Sequence, residues 1–304
     1  MHQSEQVCVY GAPLAELAEI PVGAVQVSSL IPGSAALEAV DAESLSAAIV
    51  AAPPGTLERR YVLALALRAL RPGGRLTAMA PKEKGGGRLG AELRSFGCEV
   101  TETGKRHQRL CQTLRPDLPT GLDDAIAAGA PRLDETLGAW TQPGVFSWDR
   151  PDPGTTLLLE ALPPLAGRGA DLGCGWGRIA VALLQGPAIQ HLDLYDLDRR
   201  AVEATKRNID DPRAVCHWAD VRALPNGEPL DFVVMNPPFH DGGAEDRSLG
   251  QSFIRQAHAM LRKGGALWLV ANRHLPYESV LTPMFSSVSL KAERGGYKVY
   301  EARK

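Results

Sequence analysis

The feature that most constrains this 304-residue chain is that it nearly repeats itself. LRPGGRLTAMAPK at 70–82 and LRKGGALWLVANR at 261–273 are identical at six of thirteen positions. In each copy a stretch read as amphipathic (YVLALALRAL, then SFIRQAHAML) runs through a basic residue into Gly-Gly, then into an apolar segment of strand length. That order predicts helix, tight turn and buried strand. Upstream, AAIVAAPPGT at 47–56 echoes DFVVMNPPFHDG at 231–242, both apolar strands ending in Pro-Pro, and this pairing sets Ala52 opposite Asn236. Downstream, GKRHQRLCQTLRP after Gly104 echoes GYKVYEARK after Gly296. Four features recurring in one order mark two copies of an α/β domain, and the length is that of two domains at about 150 residues each.

The predicted boundaries are a first domain over 1–117, a linker over 118–131 and a second domain over 132–304, the linker falling in a Pro-, Gly- and acid-rich region. The second half reads helix (TTLLLEALPPL), strand and Gly-rich turn (GADLGCGWG), helix (RIAVALLQ), strand (IQHLDLYD) and helix (RRAVEATKRN). Strands alternating with helices predict a Rossmann-like parallel sheet wound on both faces.

Composition narrows the function classes. The 33 Lys plus Arg nearly cancel 35 Asp plus Glu, for a net charge of -2, so no overall basic field points to nucleic acid and local charge must decide. Cys8, Cys98, Cys111, Cys174 and Cys216 form an odd, scattered set without a Cys-x-x-Cys pair, which fits neither a disulfide framework nor a zinc site. No metal is expected, and a reducing cytoplasm is the expected compartment. MHQSEQVCVY lacks a basic segment leading into an apolar one, and no apolar run approaches the roughly 18 residues of a membrane span.

Asp171-Leu-Gly-Cys-Gly-Trp-Gly177 follows a strand and opens a helix, so Gly173, Gly175 and Gly177 can turn the chain tightly and admit a ligand to the backbone. A bare strand-to-helix connection would use the same glycines. Asp196, ending the next strand about 20 residues on, can accept hydrogen bonds from both hydroxyls of a ribose, and Asp220 follows where the third strand should end. The segment resembles that of the class I S-adenosylmethionine-dependent methyltransferases, whose first strand carries an acid-x-Gly-x-Gly-x-Gly motif. A dinucleotide oxidoreductase is the competitor, but its Gly-x-Gly-x-x-Gly serves a pyrophosphate. Even glycine spacing with Asp171 suits a cationic amino-acid and sulfonium ligand better.

Asn236-Pro-Pro-Phe239 ends an apolar strand and therefore lies at the sheet edge that carries the glycine loop. An amine conjugated to a base is a poor nucleophile, so it must be held by acceptors and aimed. The Asn236 side-chain oxygen and the Pro237 carbonyl can supply two, and Phe239 can stack on an extruded base. The form NPPFHDG, with PGVFSWDRPDPGTTLLLEAL ahead of the glycine loop and VANRHLPY behind it, is similar to that of bacterial ribosomal RNA guanine-N2 methyltransferases of the RsmC and RlmG type, over about residues 141–303. The resemblance implies two tandem class I methyltransferase domains, the first degenerate, with S-adenosylmethionine as cofactor. It implies a guanine amine in ribosomal RNA, 16S favoured over 23S, as target.

It further implies cofactor contacts from Asp171, Gly173, Gly175, Gly177, Asp196, Asp220 and Asn236, and base-holding by Asn236, Pro237 and Phe239. Ribosomal RNA or a ribosomal subunit is then the partner, with no membrane and no obligate protein partner. The first copy supports this by what it lacks: VCVYGAPLAE keeps only Gly11 of the loop. Across 58–115 there are thirteen Lys or Arg against five acids, and Lys82, Lys84 and Arg88 follow a strand in a flexible KEKGGGR turn suited to RNA phosphates. His240 and Asp241 are candidate proton acceptors. Protein-glutamine and DNA amino-methyltransferases share the Asn-Pro-Pro-aromatic chemistry and are the rival enzymes; a non-catalytic RNA-binding factor is the rival outside catalysis.

Overall fold

The computed structural model describes residues 6–225, 227–238, 240–241, 244–245 and 247–304, with backbone alone at 240, 241, 244, 245 and 247. The chain divides into two compact units, Met1–Ala130 and Pro131–Lys304.

In the first unit, β1 (Val7–Tyr10), β2 (Val25–Gln26), β3 (Leu45–Ala51), β4 (Leu70–Pro81), β5 (Thr101–Lys105) and β6 (Gln108–Leu114) form one sheet in the order β2-β1-β3-β4-β6-β5. β1 to β4 pair in parallel, while β6 runs antiparallel to both its neighbours. Its helices are α1 (Thr56–Ala69), α2 (Gly87–Ser95) and α3 (Leu122–Gly129).

The second unit opens with a hairpin, β7 (Arg132–Asp134) and β8 (Ala139–Thr141), and helix α4 (Pro153–Ala161). Then follow β9 (Gly167–Leu172), α5 (Arg178–Leu184), β10 (Ile189–Asp196), α6 (Arg199–Asn208), β11 (Ala214–Trp218) and β12 (Leu230–Met235). A short hairpin, β13 (His240–Asp241) and β14 (Ala244–Glu245), precedes α7 (Arg247–Met260), β15 (Leu261–Asn272), α8 (Glu278–Met284), β16 (Ser287–Arg294) and β17 (Tyr297–Arg303). The seven-stranded sheet runs β11-β10-β9-β12-β15-β17-β16. Strand order reverses between β9 and β12, and the ends of those two strands form the crevice where open α/β sheets take ligands.

The two sheets correspond strand for strand in order, β2-β1-β3-β4-β6-β5 to β10-β9-β12-β15-β17-β16, and the second adds the edge strand β11. The likeness reaches single hydrogen bonds. Gly73 N–H donates to the Arg115 carbonyl (2.9 Å) and Arg115 N–H to that of Gly74 (2.8 Å), as Gly264 does to Lys304 (2.8 Å) and Lys304 to Gly265 (3.0 Å). The Arg115 side chain donates to the Leu67 carbonyl (2.9 Å), and Lys304 Nζ donates to those of His258 and Leu261 (2.7 and 2.8 Å). In both units a cation therefore satisfies carbonyls that the last helical turn leaves without partners, at the negative end of the helix dipole.

Register also matches the sites. Ala47 pairs with Arg75 as Phe232 pairs with Ala266, which places Ala51 opposite Asn236; the Pro-Pro alignment that paired Ala52 with Asn236 is one residue out. By the same ladders Val9 stands at the position of Asp171, and Ser28, two residues beyond Gln26, at that of Asp196. The loop after β3 is filled from within: the Arg59 guanidinium donates to the carbonyls of Pro53 and Pro54 (3.3 and 2.6 Å) and grips both oxygens of buried Glu92 (2.7 and 2.6 Å).

YVLALALRAL departs from its expected amphipathic character. Tyr61 to Leu67 are all buried, because the stretch is apolar on every side and such a helix must be covered on every side. Part of the cover is α3, formed by residues expected to link the domains. A Cβ on Gly129 would lie 2.4 Å from Cβ of Tyr61, so the two helices touch through the absent side chain. Gly129→Val should therefore destabilise the first unit by about 1 to 3 kcal/mol through overpacking. Thermal unfolding followed by circular dichroism measures this, and an unchanged transition would show that α3 does not seal α1.

Candidate cofactor and substrate site

At the β9/β12 crevice the chain from Gly173 to Gly177 is fixed on every side. Gly173 and Cys174 N–H both donate to the Tyr195 carbonyl (2.8 and 3.0 Å), and Gly175 N–H donates to Asp196 Oδ2 (2.8 Å). From α6, Thr205 Oγ1 donates to the Gly175 carbonyl (2.8 Å) and Asn208 Nδ2 to that of Trp176 (2.8 Å). All three glycines hold positive φ (82°, 57° and 92°), a conformation costly to any residue with a Cβ. A Cβ on Gly175 would meet nothing within 4 Å, so this part of the loop is open to a ligand.

Asp171 lies beneath the loop, fully buried, and neither of its carboxylate oxygens has a hydrogen-bond partner among the described residues. Burial, and secondarily the charge of Asp196, pushes its carboxyl up to about 8. An orphaned buried acid is costly unless a cation or donor meets it, so the site fits an amino-acid ammonium. Burial also raises Asp196 to about 6, against the pull of backbone N–H groups from Asp198 and Gly175. Each Asp196 oxygen accepts one backbone N–H (2.8 Å from Gly175, 2.8 Å from Asp198) and keeps capacity for a ribose hydroxyl.

Asp220 is differently engaged. It stands after β11 as expected, but its carboxylate clasps Arg222 through the backbone N–H (2.9 Å) and the guanidinium (2.9 and 2.7 Å), which holds it below the ordinary carboxylate range.

Gly173, Gly175 and Asn236 line one cleft together with Phe146, Asp152, Thr155, Trp176 and Arg178, residues that sequence reasoning did not single out. Asn236 Nδ2 donates to Asp152 Oδ2 and to Thr155 Oγ1, each at 2.9 Å. A carboxylate only accepts, so the amide nitrogen must face Asp152 and the Asn236 oxygen must face the other way. Pro237 is buried beside it. Phe146 is 55% exposed at the cleft, which it lines together with Trp176 and Ile179, and the next residue, Ser147, is held at φ 57° with its carbonyl on the Trp176 indole N–H (3.2 Å). The signal that could have flagged them was the PGVFSWDRPDPGTT segment just before α4. Phe239 lies outside the described residues, as do the side chains of His240 and Asp241.

In the first unit Lys82 is exposed and Lys84 half-buried in a helical turn between β4 and α2, whereas Arg88, also exposed, lies in the first turn of α2 rather than in the loop expected from the sequence. Much of the surrounding basic excess serves the fold: Arg59 and Arg115 are buried, and Arg94 and Arg109 share Glu102. Among the described residues no group of three or more His, Cys, Asp or Glu could hold a metal, and no helix is long and apolar enough to cross a membrane. All five cysteines are free.

A doubly wound sheet with a hairpin at one edge, an acid and three positive-φ glycines at the switch point and an Asn-Pro-Pro beside them define a class I S-adenosylmethionine-dependent methyltransferase. The comparisons agree. Residues 136–301 match the family model for the methyltransferase small domain. Ribosomal RNA small subunit methyltransferase C of Shewanella loihica is 34% identical over 252 residues, covering 80% of this chain and 73% of that one. Its namesake in Shewanella halifaxensis is 34% identical over 266 residues, 85% and 77% of the two chains. Among solved structures, the T. thermophilus 16S rRNA N2 methyltransferase RsmC, in complex with AdoMet and guanosine, superposes with a TM-score of 0.79 at 26% identity over 98% of this chain and 88% of that one. The chain belongs to the methyltransferase small domain family, among the ribosomal RNA small subunit methyltransferase C proteins, and has their two tandem methyltransferase-like domains.

The raised acid has a pH consequence. The folded chain holds a proton on Asp171 that the unfolded chain releases near pH 4, so the contribution of Asp171 to stability falls as pH rises from about 4 to about 8 and is flat above. Asp171→Asn should make the ligand-free protein more stable at pH 8 and shrink that fall. When a cation binds, wild-type Asp171 must ionise, so affinity for S-adenosylmethionine should rise between pH 6 and 8 with proton release, read by calorimetry in buffers of different ionisation enthalpy. A variant that still released the proton would exonerate Asp171.

Proposed function

We propose that this protein transfers a methyl group from S-adenosylmethionine to the exocyclic N2 amine of a guanine in 16S ribosomal RNA, in the cytoplasm, with the second unit catalytic and the first holding RNA. The observation that carries the reading is the pinned Asn236 amide. With both hydrogens of Nδ2 given to Asp152 and Thr155, Oδ1 is oriented as an acceptor before any substrate arrives.

Bound S-adenosylmethionine supplies an electrophilic methyl on a sulfonium centre. Asp171 would meet its ammonium, Gly173 to Gly177 its backbone-facing side and Asp196 its ribose hydroxyls; Asp220, already paired with Arg222, would reach it only by exchanging that partner. Asn236 Oδ1 and the Pro237 carbonyl hold the two amine hydrogens, turning the nitrogen lone pair out of conjugation and towards the methyl. Both acceptors carry partial negative charge, so they favour the amine more as it becomes cationic, which is where a preorganised site gains rate. Phe239 is assigned the stacking of the extruded base. The proton leaves to solvent.

The first unit has Val9, Ser28 and Ala51 where the second has Asp171, Asp196 and Asn236, so it should bind no cofactor. Its contribution is assigned to Lys82, Lys84 and Arg88.

Two measurements test this. Methyl incorporation into 16S RNA or small subunits should fall roughly a hundredfold or more in Asn236→Ala, with cofactor affinity changed far less; near-normal turnover would remove Asn236 from the mechanism. Reversing Lys82 and Lys84 to Glu should reduce the slope of log RNA affinity against log salt by about 0.7 to 0.9 per lost phosphate contact. An unchanged slope would mean that these charges only solvate the surface.

A further inference from the structure

Asp152 already has a local reason to exist. It caps α4, and its Oδ2 accepts the Thr155 backbone N–H at 2.6 Å. The same oxygen also accepts Asn236 Nδ2, from 84 residues away, at 2.9 Å. A cap needs only the first of these bonds. The second joins two segments with four strands of the chain between them, β9 to β12, and fastens the one side chain that the proposed chemistry depends on.

Asp152 is itself held firmly. Its carbonyl accepts the Thr156 N–H (3.0 Å) and hydroxyl (2.9 Å), and Arg178 reaches both that carbonyl (3.4 Å) and Thr156 Oγ1 (2.9 Å). A Cβ on Gly154 would lie 2.8 Å from the Tyr297 ring and 3.1 Å from Asp152 Oδ2, so the turn is packed closely around the carboxylate. The Asn236 amide thus rests against an immobilised negative charge.

We propose that Asp152 is the positioning residue of the methyl-transfer site, orienting the Asn236 amide and polarising it through a charge-assisted hydrogen bond. A carboxylate on the amide N–H draws electron density towards Oδ1, because neighbouring hydrogen bonds polarise one another in a medium of low dielectric. The acceptor facing the substrate amine becomes more negative, and the gain is largest when that amine carries positive charge in the transition state. The proposal rests on the reading of Asn236 given above.

Three variants separate orientation from capping. Serine is also a favoured cap, so Asp152→Ser keeps the α4 terminus but supplies neither the charge nor the second bond. Its kcat on 16S RNA should fall at least tenfold, while KM for RNA, calorimetric affinity for S-adenosylmethionine and the melting temperature stay near wild type. Asp152→Asn caps equally well, can still accept from Asn236 and should recover part of the loss; it also serves if the serine variant does not fold. In an Asn236→Ala background, Asp152→Ser should cost less than twofold more, since nothing is left to orient. Wild-type kcat in both single variants, or losses that multiply in the double variant, would overturn the role of Asp152 while leaving Asn236 standing. A fully active Asn236→Ala would overturn both.

Discussion

The second unit depends on one constraint, that in the turn from Gly173 to Gly177 three alternate residues, Gly173, Gly175 and Gly177, keep a backbone shape costly to any residue with a Cβ. No single contact enforces it. The Tyr195 carbonyl takes two N–H groups, Asp196 a third, and Thr205 and Asn208 reach from α6 to the carbonyls on the other side. β10 and α6 are thus part of the site although they contribute few of its lining atoms. Asp196 has two tasks at once, since the oxygens left for a ribose also hold the loop that would receive the rest of the cofactor. A substitution there should be read as a change in loop geometry as well as in ligand contact.

What the sequence disclosed was whatever has a short-range signature. Repeated Gly-Gly turns, an acid two residues before three evenly spaced glycines, and Asn-Pro-Pro at a strand end each carry their chemistry within a few residues, and the doubly wound parallel sheet followed from the alternation of strands with helices, though not the antiparallel pair at its edge. Asp152 and Thr155 were hidden because their partner lies more than 80 residues away, and because an Asp three residues before a Thr at the start of an apolar run looks complete as a helix cap. The role of α3 was hidden by its Pro- and Gly-rich flanks, although the all-round apolarity of α1 already called for a cover. Charge counting failed in the same way: a tally over 58–115 cannot separate Arg59 and Arg115, buried and bonded, from Lys82 and Arg88, exposed.

The two units show which parts of this architecture belong to folding and which to chemistry. Both retain the parallel strands, the antiparallel pair at one edge, the Gly-Gly turn and the cation over the preceding helix end, including the paired bonds of Arg115 with Gly73 and Gly74 and of Lys304 with Gly264 and Gly265. They differ at Val9, Ser28 and Ala51, where apolar or small side chains stand in place of two acids and an amide. An orphaned buried carboxylate opposes folding, so Val9 spares the first unit an electrostatic burden that the second bears in Asp171.

The Arg59 side chain gives that divergence a direction. Restoring an acid, an amide and the glycines to the first unit would not reopen its pocket, because the guanidinium occupies the carbonyls of Pro53 and Pro54 and neutralises Glu92. Replacing Arg59 alone would strand Glu92 as a buried charge, at a cost of about 3 to 5 kcal/mol. The plug therefore ties the stability of the first unit to a filled loop: Arg59 and Glu92 hold one another buried beside the strand end that matches the one carrying Asn236 in the second unit.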